Sequence, residues 1–124
     1  MARTKKPPIS PEDRAVIGSL LRDVRRAAGY RSVEAAAQIE GCPASRQTIY
    51  SYERGGLTPS LHQFLELVEF YVLDAPHGPG AKAEPDLKAT GVAAVTHALT
   101  LPAYHMVEAM RLIARMRPDI RKRP

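Results

Sequence analysis

Between Ser45 and Arg54 the chain reads SRQTIYSYER, and its hydrogen-bonding side chains gather on one side of a helical wheel. At about 100° per residue, Arg46, Gln47, Tyr50, Ser51 and Arg54 spread over one face, while Ile49 and Tyr52 point together the other way. Guanidinium and carboxamide groups offer several hydrogen bonds each in fixed planar geometries, and hydroxyls add ones that rotate to suit a partner. Such a face suits recognition rather than bond-making. The sequence supplies no Gly-rich phosphate loop, no nucleophile elbow and no paired-acid site. His62, His77, His97 and His105 are scattered and Cys42 stands alone, so no metal-ligand spacing arises. We expect no enzyme, no metal and no cofactor.

A recognition face needs helices to hold it, and the local signals spell them out. Ser10-Pro11-Glu12-Asp13 caps a first helix through about residue 28, with acids at the positive end of its dipole and Gly29 as a stop. Val16, Ile17, Leu20, Leu21 and Val24 recur along it at helical spacing. Ser32 caps a short second helix through Ile39, and Gly41-Cys42-Pro43 breaks the pattern. The polar-faced helix follows as the third, over about 45–54, ended by Gly55-Gly56. Ser60 and Gln63 have capping-box spacing ahead of Leu61, Phe64, Leu65, Val68 and Tyr71. Strand signals are nearly absent, so the fold class is all-α.

The ends and joints are different in kind. Residues 1–10 carry Arg3, Lys5 and Lys6 with no apolar periodicity and read as a disordered basic arm. Residues 74–85 hold three of the eleven prolines and two glycines, the composition of a linker. Residues 86–117 are helical in pattern, with Gly91 a weak point. Met106, Ala109, Met110, Ile113 and Met116 form a stripe on the last helix, read as a dimerisation or docking surface. A basic tail, 118–124, closes the chain.

At this point the pattern resembles the Cro/C1-type helix-turn-helix regulators, also called the XRE family. The likeness covers about residues 16–73 and is most specific in TIYSYERGGLTPSL, from Thr48 to Leu61. Within that family, SYERG followed by FLELVEFY resembles the N-terminal domain of a streptomycete developmental regulator. The nucleotide-binding signature of that regulator's C-terminal domain is missing here, and no ligand is carried over. The resemblance implies a lambda-repressor-like bundle over 11–73 with a C-terminal helical extension. It implies base contacts from Arg46, Gln47, Tyr50 and Ser51 in the major groove. The chemistry is sound: arginine is bidentate to guanine and glutamine to adenine. It implies backbone contacts from Arg31, Ser32, Ser45, Thr48 and Arg54, with Lys5 and Lys6 following the duplex from the arm. It also implies a structural ion pair between Glu53 and Arg25. Two departures stand out. The path from Ala37 to Thr48 is longer than in most of the family, and Ser32 replaces the usual glutamine.

The whole chain fits that expectation. It has 124 residues, 44% of them hydrophobic, and a net charge of +5. That balance suits a polyanion. No apolar run is long enough for a membrane span, and one cysteine allows no internal disulfide. The expected function is a sequence-specific double-stranded DNA-binding transcriptional regulator, a homodimer on paired half-sites, cytoplasmic and associated with the nucleoid. The alternative is a protein-interaction or antitoxin-like module that binds a partner protein through its C-terminal helix.

Overall fold

The computed structural model describes residues 9–105, 109 and 112–116. All the regular structure among them is helical: α1 (Pro11–Ala27), α2 (Val33–Ala37), α3 (Arg46–Glu53), α4 (Leu61–Glu69) and α5 (Glu84–Leu99). A π-helical turn, Phe70–Asp74, extends α4, and residues 102–105 and 112–116 are helical as well. No helix among the described residues is long and apolar enough to cross a membrane.

The helix starts are chemically similar. Ser10, Ser32, Ser45 and Ser60 each stand in extended backbone and accept a hydrogen bond from the amide three residues on. Each satisfies one of the amides that a helix start leaves without a partner. At α4 the box closes in both directions, because the Gln63 side chain also accepts from the Ser60 amide at 2.9 Å.

One core joins all five helices. Ile17, Leu21 and Val24 of α1 are buried with Ile49, Phe64, Leu67, Tyr71, Leu87, Ala94 and Ala98. Each large side chain contributes roughly 1.5–3 kcal/mol by leaving water. The first helix is the hub, touching α3, α4 and α5. It approaches α3 closely at Gly18. A Cβ there would lie 2.5 Å from the Tyr52 carbonyl oxygen and 2.7 Å from that of Glu53.

The C-terminal half departs from the sequence expectation. Of the linker expected over 74–85, Asp74 ends the π-helical turn, Glu84 and Pro85 open α5, and residues 75–83 form a strap laid across the end of α1. The Gly78 amide donates to the Ala28 carbonyl and the Lys82 amide to the Ala27 carbonyl, both at 2.9 Å. These bonds satisfy carbonyls that the helix end leaves open. The Tyr30 hydroxyl donates to the Pro76 carbonyl, and Gly29 and Gly78 meet backbone to backbone, with no space for a Cβ on either. The segment expected over 86–117 is also divided. Its helix begins at Glu84, and Leu87, Ala94, Ala98, Leu101 and Tyr104 are buried in the chain's own core. The Tyr104 hydroxyl donates to the Pro59 carbonyl at 2.8 Å. Beyond Tyr104 the described residues leave that core. Ala109, Ile113 and Met116 are exposed, while Met106 and Met110 lie outside the described residues, as do Lys5, Lys6 and the tail.

Candidate nucleic-acid interface

The third helix is held by a buried charge pair. The Arg25 guanidinium donates from Nε to Glu53 Oε2 at 2.7 Å and from Nη2 to Oε1 at 2.9 Å. Its remaining Nη1 donates to the Tyr30 carbonyl at 2.7 Å. Both side chains are 5% exposed. Burial alone would lower the arginine's pKa; the hydrogen bond and charge of Glu53 outweigh it and raise it. A planar fork satisfied at both carboxylate oxygens fixes the end of α3 in position and in rotation. Ile49 and Tyr52, both buried, fix the inner side.

Further contacts fasten the exit of α3. Arg22 Nη2 donates to the Glu53 carbonyl at 2.9 Å, and Arg14 Nε donates to that of Gly55 at 3.1 Å. The Gly56 and Leu57 amides both donate to the Ser51 carbonyl. Gly55 turns the chain at a φ of 76°, a conformation that favours glycine.

On the outer side, Arg46, Gln47, Tyr50 and Arg54 are exposed, and Thr48 and Ser51 are half-buried. The Arg54 guanidinium lies over the Tyr50 ring, 4.9 Å from its centroid, so the two share one cation–π unit. Arg46 Nη1 donates to Glu34 Oε2 of α2 at 3.4 Å, with both groups largely in water. That contact is weak and easily exchanged. Ser45 and Ser32 use their hydroxyls as caps, and the Ser45 hydroxyl also donates to Thr48 Oγ1 at 2.9 Å. Arg31 is exposed just before α2. A cleft of about 280 Å³ beside this face is lined in part by Arg22, Ser32, Tyr50 and Arg54.

Arg46, Gln47, Tyr50, Ser51 and Arg54 therefore share one face, with Ser45 and Thr48 at its N-terminal edge and Ser32 across the cleft. The connection from Gln38 to Ser45 is long but not loose. Gly41 takes a φ of 89°, the Cys42 amide donates to the Ile39 carbonyl, and Ile39 and Cys42 pack against the core. Arg22, Arg14 and Glu34 are contributors that sequence reading does not single out. Arg22 carries a signal in hindsight, since it lies one helical turn before Arg25 on the same face. Arg14 and Glu34 find their partners only through tertiary placement. Among the described residues no group of histidine, cysteine and carboxylate side chains is placed to hold a metal.

Comparison with protein-family models, with curated proteins and with solved structures finds no match to this chain.

Proposed function

We propose that the chain is a sequence-specific double-stranded DNA-binding regulator of helix-turn-helix type, acting as a homodimer. In this reading α2 and α3 form the motif and α3 enters the major groove. The observation that carries it is the pairing of a rigid mount with a polar outer face. Arg46, Gln47, Tyr50 and Arg54 are exposed on a helix whose inner side is locked by Ile49, Tyr52 and the Arg25–Glu53 fork. Base readout rewards that combination, because a bidentate side chain discriminates only if its backbone is held still. Arg46 exchanges Glu34 for a guanine edge. Gln47 takes an adjacent base, and Ser51 with the Tyr50–Arg54 unit contacts base edges, sugar or phosphate. Ser32, Ser45, Thr48 and Arg31 sit where backbone phosphates pass, and the net charge of +5 adds a salt-dependent term.

The test is affinity selection of sheared genomic DNA by the purified protein beside the Arg46→Ala/Gln47→Ala double variant. The wild type enriches a two-fold symmetric motif, and the variant loses it. Each lost bidentate pair lowers discrimination by about 1–3 kcal/mol. Equal, salt-sensitive binding by both proteins with no motif overturns the reading.

A second reading, a partner-protein or antitoxin-like module, has one observation in its favour. Leu112, Ile113 and Met116 stand exposed on a helix beyond the core.

A further inference from the structure

Arg22 carries donors that the fold does not use. It stands on α1, outside the α2–α3 pair, and its side chain is 37% exposed. Its Nη2 donates to the Glu53 carbonyl at 2.9 Å. Its Nε lies 3.7 Å from Glu53 Oε1, too far for a hydrogen bond. Arg25, one turn on, is by contrast fully engaged, with all three nitrogens bonded to Glu53 and Tyr30. Arg54 resembles Arg22 in this respect. Its contact with the Tyr50 ring is of the cation–π kind and takes none of its N–H groups as hydrogen-bond donors.

These two guanidiniums line the same cleft of about 280 Å³, one reaching it from α1 and the other from the end of α3. Arg25 and Glu53 lie on its wall but neutralise each other. Glu34, the other carboxylate there, has its Oε2 3.4 Å from Arg46 Nη1. Arg22, Arg25, Arg46 and Arg54 thus face Glu34 and Glu53, an excess of positive charge at one concave spot. Such a spot attracts an oxyanion, and the planar fork of a guanidinium matches phosphate oxygens two at a time. The volume takes a phosphodiester linkage with some of its water. The cleft adjoins the face that holds Arg46 and Gln47. A duplex that receives α3 in its major groove therefore brings backbone phosphates past this opening.

We propose that the cleft is a phosphate seat, in which Arg22 from α1 and Arg54 from the end of α3 hold one phosphate of the DNA backbone between them. Arg22 then joins the interface as a contact that registers α3 along the duplex without reading bases. Because α1 and α3 supply one arginine each, the seat ties the duplex to the mount of α3 as well as to α3. This deepens the DNA-binding reading above and rests on it.

The test uses the full chain with the duplex that affinity selection recovers, beside a scrambled duplex. Arg22→Gln should weaken binding to both by a similar factor, roughly tenfold. It should also lower the salt slope of binding by about one. Arg22→Lys keeps the charge and should restore the slope. Thermal unfolding verifies that each variant is folded under the binding conditions. Replacing single phosphates of the duplex by neutral methylphosphonates then locates the seat. At one position in each half-site the wild type should lose affinity while Arg22→Gln loses no more, and the same position should couple to Arg54→Gln. A merely structural role for Arg22 would spread its effect over every phosphate alike. A recovered duplex with no coupled position overturns the seat and leaves the DNA-binding reading standing. So does an unchanged salt slope, or a loss confined to the recovered duplex. Inorganic phosphate provides the second arm. If it shifts the Arg22 and Arg54 side-chain resonances at low millimolar concentration while no duplex phosphate couples, the cleft takes a small phosphate and its assignment to DNA is overturned. A wild type that binds no duplex removes the DNA-binding reading and the seat with it.

Discussion

Arg25 and Glu53 meet across 28 positions of sequence, and no spacing rule links them. Their pairing was legible only through a family resemblance, whereas the burial of Ile49 and Tyr52 followed from helical period alone. The charges now sit where neither can be left single. Glu53→Ala strands a guanidinium at 5% exposure and should cost about 3–5 kcal/mol. Thermal unfolding should fall by more than about 10 °C. An unchanged midpoint removes the pair from the account of stability. Tyr71 is the opposite case, a wholly buried side chain whose hydroxyl has no protein partner. Burial, then the charge of Glu53, pushes its pKa above the ordinary 10.0. The unfolded chain gives up that proton first as pH rises, so the folded state holds more protons and stability falls with pH above about 10. Tyr71→Phe should flatten that alkaline decline in urea titrations. At neutral pH it should leave stability unchanged or raise it by up to about 1 kcal/mol, because no hydrogen bond is lost. A neutral-pH loss beyond about 1 kcal/mol means the hydroxyl has a partner.

Caps, stops and apolar stripes define the elements, and these are local chemistry that a sequence carries openly. The caps at Ser10, Ser32 and Ser60 fall where the sequence places them, and Ser45 adds a fourth that the sequence reading did not name. What the sequence does not display is how close two elements come. Gly91 reads as a weak point in a helix, yet it is where α5 meets Val72. Residues 74–85 read as a linker because proline and glycine dominate them. The Gly78 and Lys82 amides are spent on the end of α1 through contacts that composition does not encode. Gly18 carries the sharpest consequence. Alanine there improves helix propensity by roughly 1 kcal/mol, but its Cβ would strike the Tyr52 and Glu53 carbonyls. Gly18→Ala should therefore destabilise by about 1–3 kcal/mol. On the proposed function, it should also weaken DNA binding by more than the loss of folded protein explains, since α3 is pushed off its mount. A gain in stability instead means that α1 and α3 part without cost.

Among the described residues the molecule is built on one core, with an exposed helical stretch, 112–116, beyond it. Leu87, Ala94 and Ala98 complete the surface that α1 offers, so α5 belongs to the fold and not to an appendage. A chain ending before Glu84 should lose its cooperative unfolding transition in circular dichroism. One ending after His105 should keep it, because Tyr104 still reaches Pro59. Equal cooperativity in the two truncations contradicts a shared core. The fold class was readable from pattern because helices announce themselves by period. The boundary between core and projection was not, because it depends on which apolar faces meet. That arrangement also bears on synthesis. Of the five helices, α1 leaves the ribosome before the others and α5, which packs on it, after them. A nascent chain therefore carries the part of α1 that α5 covers open to water even after α3 and α4 have formed, which makes the interval before α5 emerges a window of exposure to chaperones and to misassembly.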